Sequence, residues 1–278
     1  MHFWKMSGAG NDFIMINNIK EAIPEEKFPG MAIKLCQRHV SIGADGIMVV
    51  EKSAKADIRA RIFNANGSEA EMCGNGVRCI ARFAWEEKLA GNPVRIETKA
   101  GYTEAERISS REYRGKLQSY TCLREGGKAV VNGREYSYTY MDIGNPGVPH
   151  IVVPVKDLLK ADQEMLFKDG KSLRYHSDFP KGANVNFCDL IDDKTVDVLT
   201  WERGVEDFTF ACGTGSSSVV IALRVQNKVG PGTVSVKIPG GILKVDLVEK
   251  AKNDFDIYLA GDTNIIVKGE IFDEDLLL

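Results

Sequence analysis

The sequence predicts a mixed α/β (α+β) fold made of two pseudo-repeated domains, and two similar cysteine segments are the main reason. Cys73-Gly74-Asn75-Gly76 and Cys212-Gly213-Thr214-Gly215 lie 139 residues apart in a chain of 278 residues. A Gly-Ala pair precedes each cysteine by 30 residues, beginning at Gly43 and at Gly182. Similarity at a fixed offset of half the chain length indicates an internal duplication.

The elements of the first copy follow in order from residue patterning. Apolar residues alternate with arginine over 58–62 before the turn Asn64-Ala65-Asn66-Gly67, which predicts a strand and a turn. The segment from Gly74 to Leu89 is apolar on most sides and predicts a buried helix. A further strand is expected over Val94–Gly101.

The second copy has the same order of elements. A helix is expected from Gly213 to about Gln226, again apolar all round, followed by a strand over Val234–Gly241. Asn132-Gly133 predicts a tight hairpin, and a closing strand is expected over Asn264–Phe272. Each unit is therefore expected to wrap strands around a central helix.

The duplication also predicts the domain boundaries. Residues 1–117 form the first domain, which carries Cys73, and residues 118–263 form the second, which carries Cys212. The C-terminal residues 264–278 are expected to return to the first domain. A polar, glycine-containing segment from Arg114 to Gly127 is the expected linker.

Composition excludes several classes of partner. The chain is 44% hydrophobic and 27% charged, with a formal net charge of −3, so neither nucleic acid nor an anionic membrane is expected as partner. The first residues lack a signal-peptide pattern, and no apolar run is long enough to span a membrane, which favours the cytoplasm. In that compartment six cysteines are expected to be reduced thiols.

The two cysteine turns predict a pair of acid/base groups. A cysteine directly before a helix lies at the positive end of the helix dipole, which favours its thiolate. The glycine that follows allows close approach of a carboxylate to backbone N–H groups. Two such turns facing one cleft could hold an amino acid carboxylate and flank its α-carbon. One thiolate would remove the α-proton from one face and one thiol would return a proton to the other.

Other interpretations compete with this one. Cys36, Cys79, Cys122 and Cys188 are expected to be small buried apolar residues. The cysteine and histidine spacing argues against a metal site, and neither turn completes a dinucleotide or phosphate-loop motif, so no cofactor is expected. A Cys-His hydrolase that uses His150 would leave the second turn unexplained. A thiol-disulfide redox protein and a non-catalytic amino acid-binding module are the alternatives outside the isomerases.

The motifs resemble those of the diaminopimelate epimerase family over nearly the whole chain. They are Lys5-Met6-Ser7-Gly8-Ala9-Gly10-Asn11-Asp12-Phe13, residues 63–76 with Cys73, and Glu202-Arg203-Gly204 leading to Ala211-Cys212-Gly213-Thr214-Gly215. The resemblance implies a cofactor-independent epimerase that interconverts LL- and meso-2,6-diaminopimelate. It also implies two domains, each a mixed β-barrel-like sheet around a central helix, and a homodimer.

The resemblance further assigns site residues. Cys73 and Cys212 would be the acid/base pair, with Glu202 near them on a substrate ammonium and His150 as a further catalytic group. Gly74, Asn75, Gly213 and Thr214 would bind the reacting carboxylate through backbone N–H groups. The distal end of the substrate would be bound by Asn11, Asn64, Asn145, Asn184 and Arg203. Taken without the resemblance, each Asn could be a turn residue, and Glu202 with Arg203 a solvated pair.

Three positions depart from the family pattern. Many members have Gly-Asn-Pro-His, but here Gly144-Asn145-Pro146 is followed by His150, three positions further along. Gly46 replaces a polar residue after Asp45, and Asn66 replaces an aspartate. Racemases of proline or histidine share the two-cysteine fold and are the alternative within this class.

Overall fold

The computed structural model describes residues 1–144, 147–272 and 274. It divides into two units, Met1–Lys116 with Ala260–Leu278, and Leu117–Leu259. Strands and helices of similar order build each unit.

The elements up to the unit boundary are β1 (His2–Gly8), β2 (Asn11–Asn17), α1 (Asn18–Glu21), α2 (Phe28–Leu35), β3 (Gly46–Glu51), β4 (Ile58–Asn64), β5 (Glu69–Ala70), α3 (Gly74–Glu86), β6 (Val94–Thr98), β7 (Gly101–Arg107) and β8 (Glu112–Leu117). The following elements are β9 (Tyr120–Val131), β10 (Arg134–Ile143), β11 (Val148–Pro154), α4 (Gln163–Arg174), β12 (Asn184–Asp192), β13 (Thr195–Glu202), β14 (Asp207–Phe208), α5 (Gly213–Val225), β15 (Gly232–Ile238) and β16 (Gly241–Ala251). The last strand, β17 (Asp254–Glu270), enters the first unit from Ala260 onward.

Strand pairing repeats between the two units. In the first, β2 and β3 are parallel, β3 and β4 antiparallel, β4 and β6 parallel, and β6 and β7 antiparallel. In the second, β11 and β12, β12 and β13, β13 and β15, and β15 and β16 follow the same sequence of orientations. The helix α3 connects β4 to its parallel partner β6, and α5 connects β13 to its parallel partner β15. The predicted mixed α/β fold with two pseudo-repeated units is confirmed.

The two crossover helices are the buried centres of their units. Nine of the 13 residues of α3 and nine of the 13 of α5 are buried. Val77, Ile80 and Phe83 of α3 pack into a core with side chains from the strands of the first unit. In α5, the apolar run from Val219 to Leu223 is buried throughout. The removal of these apolar side chains and their strand neighbours from water is the main favourable contribution to the stability of each unit.

The structure agrees with several local predictions. Both helices begin at the residue after a cysteine, and Ile58–Asn64 is a strand. Asn132 and Gly133 both have positive φ, 49° and 76°, in the turn between β9 and β10, as a tight hairpin requires.

Two local expectations were wrong. The boundary between the two units, after Lys116, falls within the segment from Arg114 to Gly127, but that segment is largely strand, because β9 continues its pairing with β10 well back from the hairpin. Cys122 is exposed rather than buried. Its φ is 57°, and the pairing of β9 with β10 is irregular around it.

Candidate active site

Cys73 caps the N-terminus of α3 with its own sulfur. The residue is extended, with φ −136° and ψ 116°, and its Sγ accepts a hydrogen bond from the backbone N–H of Gly76 at 3.4 Å. This is the position and partner of a helix N-cap side chain. The sulfur therefore lies at the positive end of the helix dipole, where a thiolate is stabilised.

Cys212 makes the same cap at α5. Its φ and ψ are −124° and 107°, and its Sγ accepts from the backbone N–H of Gly215 at 3.3 Å. The Thr214 hydroxyl also lies 3.5 Å from this sulfur. Cys212 is buried, whereas Cys73 is only partly buried. Cys212 therefore caps α5 with the same local geometry with which Cys73 caps α3.

A glycine in the first turn of each helix makes room for the cap. A Cβ at Gly76 would come within 2.1 Å of the Met48 Cε atom. At Gly215 a Cβ would come within 2.3 Å of Asn186 Oδ1 and 3.1 Å of the Cys212 sulfur. Close packing, rather than a special backbone angle, therefore favours glycine at both positions, more strongly at Gly215, because the Met48 end that Gly76 meets is flexible.

A chain of side-chain hydrogen bonds holds the Cys73 turn. The Asn75 amide donates to Asn11 Oδ1 at 2.8 Å, and Asn11 donates in turn to Asp45 Oδ2 at 3.0 Å. Arg38 donates to the other oxygen of Asp45 at 2.9 Å. These bonds fix the orientation of the Asn11 amide, with its oxygen towards α3.

The neighbouring loop brings Asn64 to the same part of the first unit. Asn64 is exposed and donates to the Ser68 hydroxyl at 3.0 Å, while the next residue, Ala65, donates its N–H to the Asp45 carbonyl. Asn66 accepts from the Ser68 N–H and hydroxyl, as a turn residue does. Gly46 has no space for a side chain, since a Cβ there would lie 2.4 Å from the Phe63 carbonyl oxygen.

In the second unit Asn184 and Arg203 are joined directly. Asn184 Oδ1 accepts the backbone N–H of Arg203 at 2.7 Å, and the Arg203 guanidinium donates to the Lys181 carbonyl at 3.2 Å. Asn184 is buried at the start of β12, and Arg203 follows the end of β13. The antiparallel pairing of β12 with β13 brings these two ends together.

His150 is completely buried beside Asn184. Its Nε2 lies 3.4 Å from Asn184 Nδ2, and its Nδ1 lies 3.3 Å from Asn186 Nδ2. Burial, with a smaller effect from the Arg203 charge, lowers the pKa of His150 to about 3. The ring is therefore neutral at pH 7, with one nitrogen that can accept from a neighbouring amide.

Asn186 links His150 to the Cys212 turn. Its amide donates to the Ile151 carbonyl at 2.9 Å, and its Oδ1 accepts from the Thr200 hydroxyl at 3.0 Å. That oxygen is the atom against which Gly215 packs. The second turn is thus supported by neutral groups.

Glu202 ends β13 next to Arg203. Burial raises the pKa of its carboxyl, and the Thr209 side chain partly opposes that shift. A carboxyl group with a raised pKa at a candidate site is suited to contact a substrate cation or exchange a proton.

The remaining cysteines differ from the two that cap helices. Burial raises the pKa of Cys36, Cys79 and Cys188 to about 12, so these thiols are un-ionised near neutral pH. None of the six cysteines, all of which lie in the described part of the chain, forms a disulfide.

Three further points concern Asn145, metal binding and membrane-spanning helices. Asn145 falls outside the described residues. Within the described ranges, no group of three or more His, Cys, Asp or Glu side chains is arranged to hold a metal ion. In the same part of the chain, no helix combines the length and apolar character needed to cross a membrane.

Sequence reasoning missed three residues of these networks, namely Arg78, Asp45 and Asn186. Arg78 is fully buried in α3 and donates to Asn75 Oδ1 at 2.9 Å. An arginine between Val77 and Cys79, in the apolar part of the helix, was a visible signal. The other two carried no signal of their own, because Asp and Asn are ordinary at strand ends.

Comparison with known proteins places the chain in one family. The family model described as diaminopimelate epimerase matches residues 3–117 and 143–266. Diaminopimelate epimerase of Aquifex aeolicus is 37% identical over 290 residues, which cover 99% of this chain and 99% of that protein. The same enzyme of Alkaliphilus metalliredigens is 38% identical, with 96% of each chain covered.

Solved structures share the fold at low sequence identity. A PhzF-family phenazine biosynthesis protein of Bacillus anthracis has a TM-score of 0.76 at 16% identity, with 98% of this chain and 99% of that chain covered. A hydroxyproline epimerase of Agrobacterium vitis has a TM-score of 0.70 at 16% identity, with 98% and 90% covered. The fold is therefore that of a class which includes epimerases. Within this class, the chain belongs to the diaminopimelate epimerase family, as its motifs indicated.

Proposed function

We propose that this protein is an isomerase that interconverts LL-2,6-diaminopimelate and meso-diaminopimelate without a cofactor. The observation that carries the proposal is the matched pair of cysteine caps, each with its sulfur on the N–H of a helix's first turn. Family membership supports the substrate, since the relatives that cover nearly the whole chain are named diaminopimelate epimerase. In this reaction one α-carbon of a symmetric diamino diacid is inverted.

The two cysteines divide the proton transfers between them. One thiolate takes the α-proton, and its S–H bond forms as the C–H bond breaks and the electron pair stays on carbon. The other thiol then gives its proton to that carbon from the opposite face. The enzyme finishes with thiol and thiolate exchanged, so each direction of the reaction starts from the opposite protonation state.

The helix N-termini stabilise the charge that develops in between. As the carbanion forms, negative charge spreads onto the adjacent carboxylate, which is already ionised. The N–H groups of Gly74, Asn75, Gly213 and Thr214 belong to the first turns of α3 and α5, where backbone donors have no partner within the helix. By comparison with oxyanion-hole donors, each is worth about 3 kcal/mol when aimed at the developing charge.

The remaining predicted residues would select the second amino acid end of the substrate. Arg203 offers a guanidinium to the distal carboxylate, and Asn11, Asn64 and Asn184 offer amides. Glu202 would contact a substrate ammonium. The buried, neutral ring of His150 supports a role in holding Asn184, and direct contact of His150 with the thiols stays a prediction.

Deuterium incorporation tests the function. Incubation with LL-diaminopimelate in D₂O is expected to give meso product with one deuterium at the inverted α-carbon, measured by mass spectrometry and NMR. The panel includes proline, hydroxyproline and histidine, with the Cys73→Ala variant as the control for background exchange. Exchange with one of those amino acids and none with diaminopimelate would replace this function by that of a racemase.

We also infer a cytoplasmic homodimer, on the strength of the family resemblance. Sedimentation velocity of the purified protein is expected to give the mass of two chains. A single species of 30.7 kDa would contradict the dimer and leave the reaction untouched.

A further inference from the structure

Arg78 is a buried cation directly beneath the Cys73 turn. The residue has no exposed surface. Its guanidinium donates to Asn75 Oδ1 at 2.9 Å and to the Gly74 carbonyl at 3.4 Å, while Nε has no hydrogen-bond partner. Asn75 and Gly74 are the two residues that follow Cys73. The guanidinium is thus fixed against the turn that carries the proposed acid/base group.

A buried guanidinium needs a negative partner, and the usual one is missing. Among the residues that the structure describes, no carboxylate lies within 4 Å of the Arg78 guanidinium in an ion pair. A buried charge without a partner is strongly unfavourable. The groups that interact electrostatically with it are Cys79, Cys73 and Asp262.

Only one of these three groups combines a titratable proton with the proposed chemistry. Cys79 lies on the same helix, and burial raises its pKa to about 12, so it supplies no charge near neutral pH. Asp262 lies on β17 and is exposed, where water screens its charge. Cys73 is the group whose ionisation would compensate Arg78 at the site itself.

Several charged residues on the surrounding strands have partners of their own. The helix α3 packs against β1, β2, β3 and β7. Lys5 on β1 pairs with Asp12 on β2 at 3.1 Å, and Glu106 on β7 pairs with Arg114. Glu51 of β3 accepts a hydrogen bond from Asn18. None of these pairs replaces a partner for Arg78.

In the second unit, an uncharged residue supports the equivalent helix N-terminal turn. Ser217 lies five residues after Cys212, as Arg78 lies five after Cys73. Its hydroxyl donates to the Gly213 carbonyl at 3.0 Å, which is the counterpart of the Gly74 carbonyl that Arg78 contacts. Ser217 is also fully buried. Supporting the turn therefore does not require a cation.

We infer that Arg78 is a positioning residue that makes Cys73, rather than Cys212, the thiolate of the resting enzyme. The inference rests on the proposed function and deepens it, because it states where the single shared proton resides before substrate binds. Both sulfurs have the same helix-dipole environment, so that effect cancels in the comparison. A fixed cation in a low-dielectric interior favours the ionised form of a nearby acid. At the equivalent positions of the two units, Arg78 contacts the Cys73 turn and the uncharged Ser217 contacts the Cys212 turn.

The resting protonation state determines which of the two epimers can react without a prior proton transfer. A substrate that presents its α-proton to Cys73 reacts with the resting enzyme at once. The opposite epimer requires the proton to move from Cys212 to Cys73 first. Proton abstraction by Cys73 leaves that thiol protonated and Cys212 ionised, so atoms and charge balance in each direction.

Alkylation at graded pH tests the inference in the absence of substrate. The intact protein is treated briefly with iodoacetamide between pH 5 and 10, and modification of each cysteine is followed by peptide mass spectrometry. The midpoint of Cys73 is expected at least one pH unit below that of Cys212, which is a tenfold difference in thiolate at intermediate pH. Exposed Cys122 serves as an internal reference for the reagent.

Variants of α3 separate the charge of Arg78 from its packing. Arg78→Gln is expected to raise the Cys73 midpoint by at least one pH unit, and Arg78→Lys to restore most of the difference. Arg82→Gln is the matched control, because it removes another guanidinium of the same helix that donates to the Thr263 carbonyl. The control is expected to leave both midpoints within 0.3 pH unit of the parent, a bound set by roughly a twofold change in thiolate.

Three results would overturn the inference. They are a Cys212 midpoint equal to or below that of Cys73 in the parent protein, no shift in Arg78→Gln, and an equal shift in Arg82→Gln. The first needs no variant and therefore decides the matter even if Arg78→Gln fails to fold. A parent protein with the expected midpoints but no deuterium incorporation from diaminopimelate would keep the inference and refute the proposed substrate.

Discussion

The Cys73 turn and the Cys212 turn have the same backbone design and different electrostatic support. Both sulfurs cap a 13-residue buried helix through the N–H three residues on, and both caps have a glycine there. Around Cys73 the supporting groups are charged, and they run from Arg38 and Asp45 through Asn11 and Asn75 to Arg78. Around Cys212 the side chains that support the turn are neutral, although Glu202 and Arg203 of the candidate site belong to the same unit.

The neutral set consists of amides, hydroxyls and an uncharged imidazole. His150 lies against two asparagine amides, Asn186 joins the Thr200 hydroxyl, and Ser217 supports the turn itself. The comparison teaches that duplication preserved the geometry of the cap and changed the charge beneath it. In the proposed two-base mechanism the two thiols hold one proton between them, and this difference in charge would bias which thiol holds it.

The largest effect is expected when either cap loses its sulfur. Cys73→Ala and Cys212→Ala should each lower the epimerisation rate at least 10³-fold, as a rough value for the loss of an acid or base. The double variant should be no slower than either single variant, because the two residues act as a unit. Initial rates from a chiral assay of the product measure this.

Exposed Cys122 provides the control for the cysteine variants. Cys122→Ala is expected to keep full activity. Full activity in Cys73→Ala or in Cys212→Ala would show that one base is sufficient.

A methyl group at the first turn should distinguish the two caps by stability. Gly215→Ala places its Cβ against the hydrogen-bonded oxygen of Asn186, whereas Gly76→Ala meets the flexible end of Met48. Overpacking costs up to about 3 kcal/mol, and we expect Gly215→Ala near that value and Gly76→Ala at about 1 kcal/mol or less. Urea titrations followed by fluorescence and circular dichroism give the two values, and the reverse order would contradict the packing argument.

Acid should weaken the second unit through His150. Its pKa is lowered to about 3 in the folded protein, so between about pH 6.5 and 3 the unfolded chain binds one more proton there. The free energy of unfolding therefore falls as pH falls through this window, by roughly 1.4 kcal/mol per pH unit from this residue.

The difference between the parent protein and His150→Gln isolates that contribution from the carboxylates. Urea titrations at pH 7, 6 and 5 should show the parent losing stability more steeply than the variant. Parallel curves for the two proteins would mean that His150 is not held neutral.

The smallest effect is expected at the charged network of the first unit. Asp45→Ala removes the acceptor that orients Asn11, and one hydrogen bond is worth about 0.5–1.5 kcal/mol. We expect KM for diaminopimelate to rise roughly 2- to 10-fold, with a smaller change in kcat. Asp45→Asn, which retains an acceptor, should recover part of the lost affinity. An unchanged KM in Asp45→Ala would show that Asn11 does not contribute to substrate binding.

The caps could be predicted from sequence because their determinants are local. Cysteine followed by Gly-x-Gly and an apolar run specifies an N-cap, a helix start and a close approach within a few residues. The offset between Cys73 and Cys212 then identified the repeated unit, and the pairing of the strands follows that repeat. The turn at Asn132-Gly133 was equally local.

The supporting networks could not be predicted because they join residues distant in sequence. Asn186 contacts Ile151, Thr200 and Gly215 only after strands β11, β12 and β13 have paired. The burial of Arg78 depends on strands that cover α3, and helical periodicity does not reveal the partner of a guanidinium. Cys122 was misjudged for a similar reason, since it lies in a part of β9 that is largely exposed.

The distribution of deuterium between substrate and product early in the reaction tests the proposed two-base mechanism most directly. With LL-diaminopimelate in D₂O, the meso product formed in the first few per cent of conversion should carry one deuterium at the inverted carbon. The LL substrate recovered at that time should still carry protium, because the thiol that returns a proton is not the group that removed it. Deuterium in the recovered substrate at the same level as in the product would contradict the account, since a single base would then serve both faces.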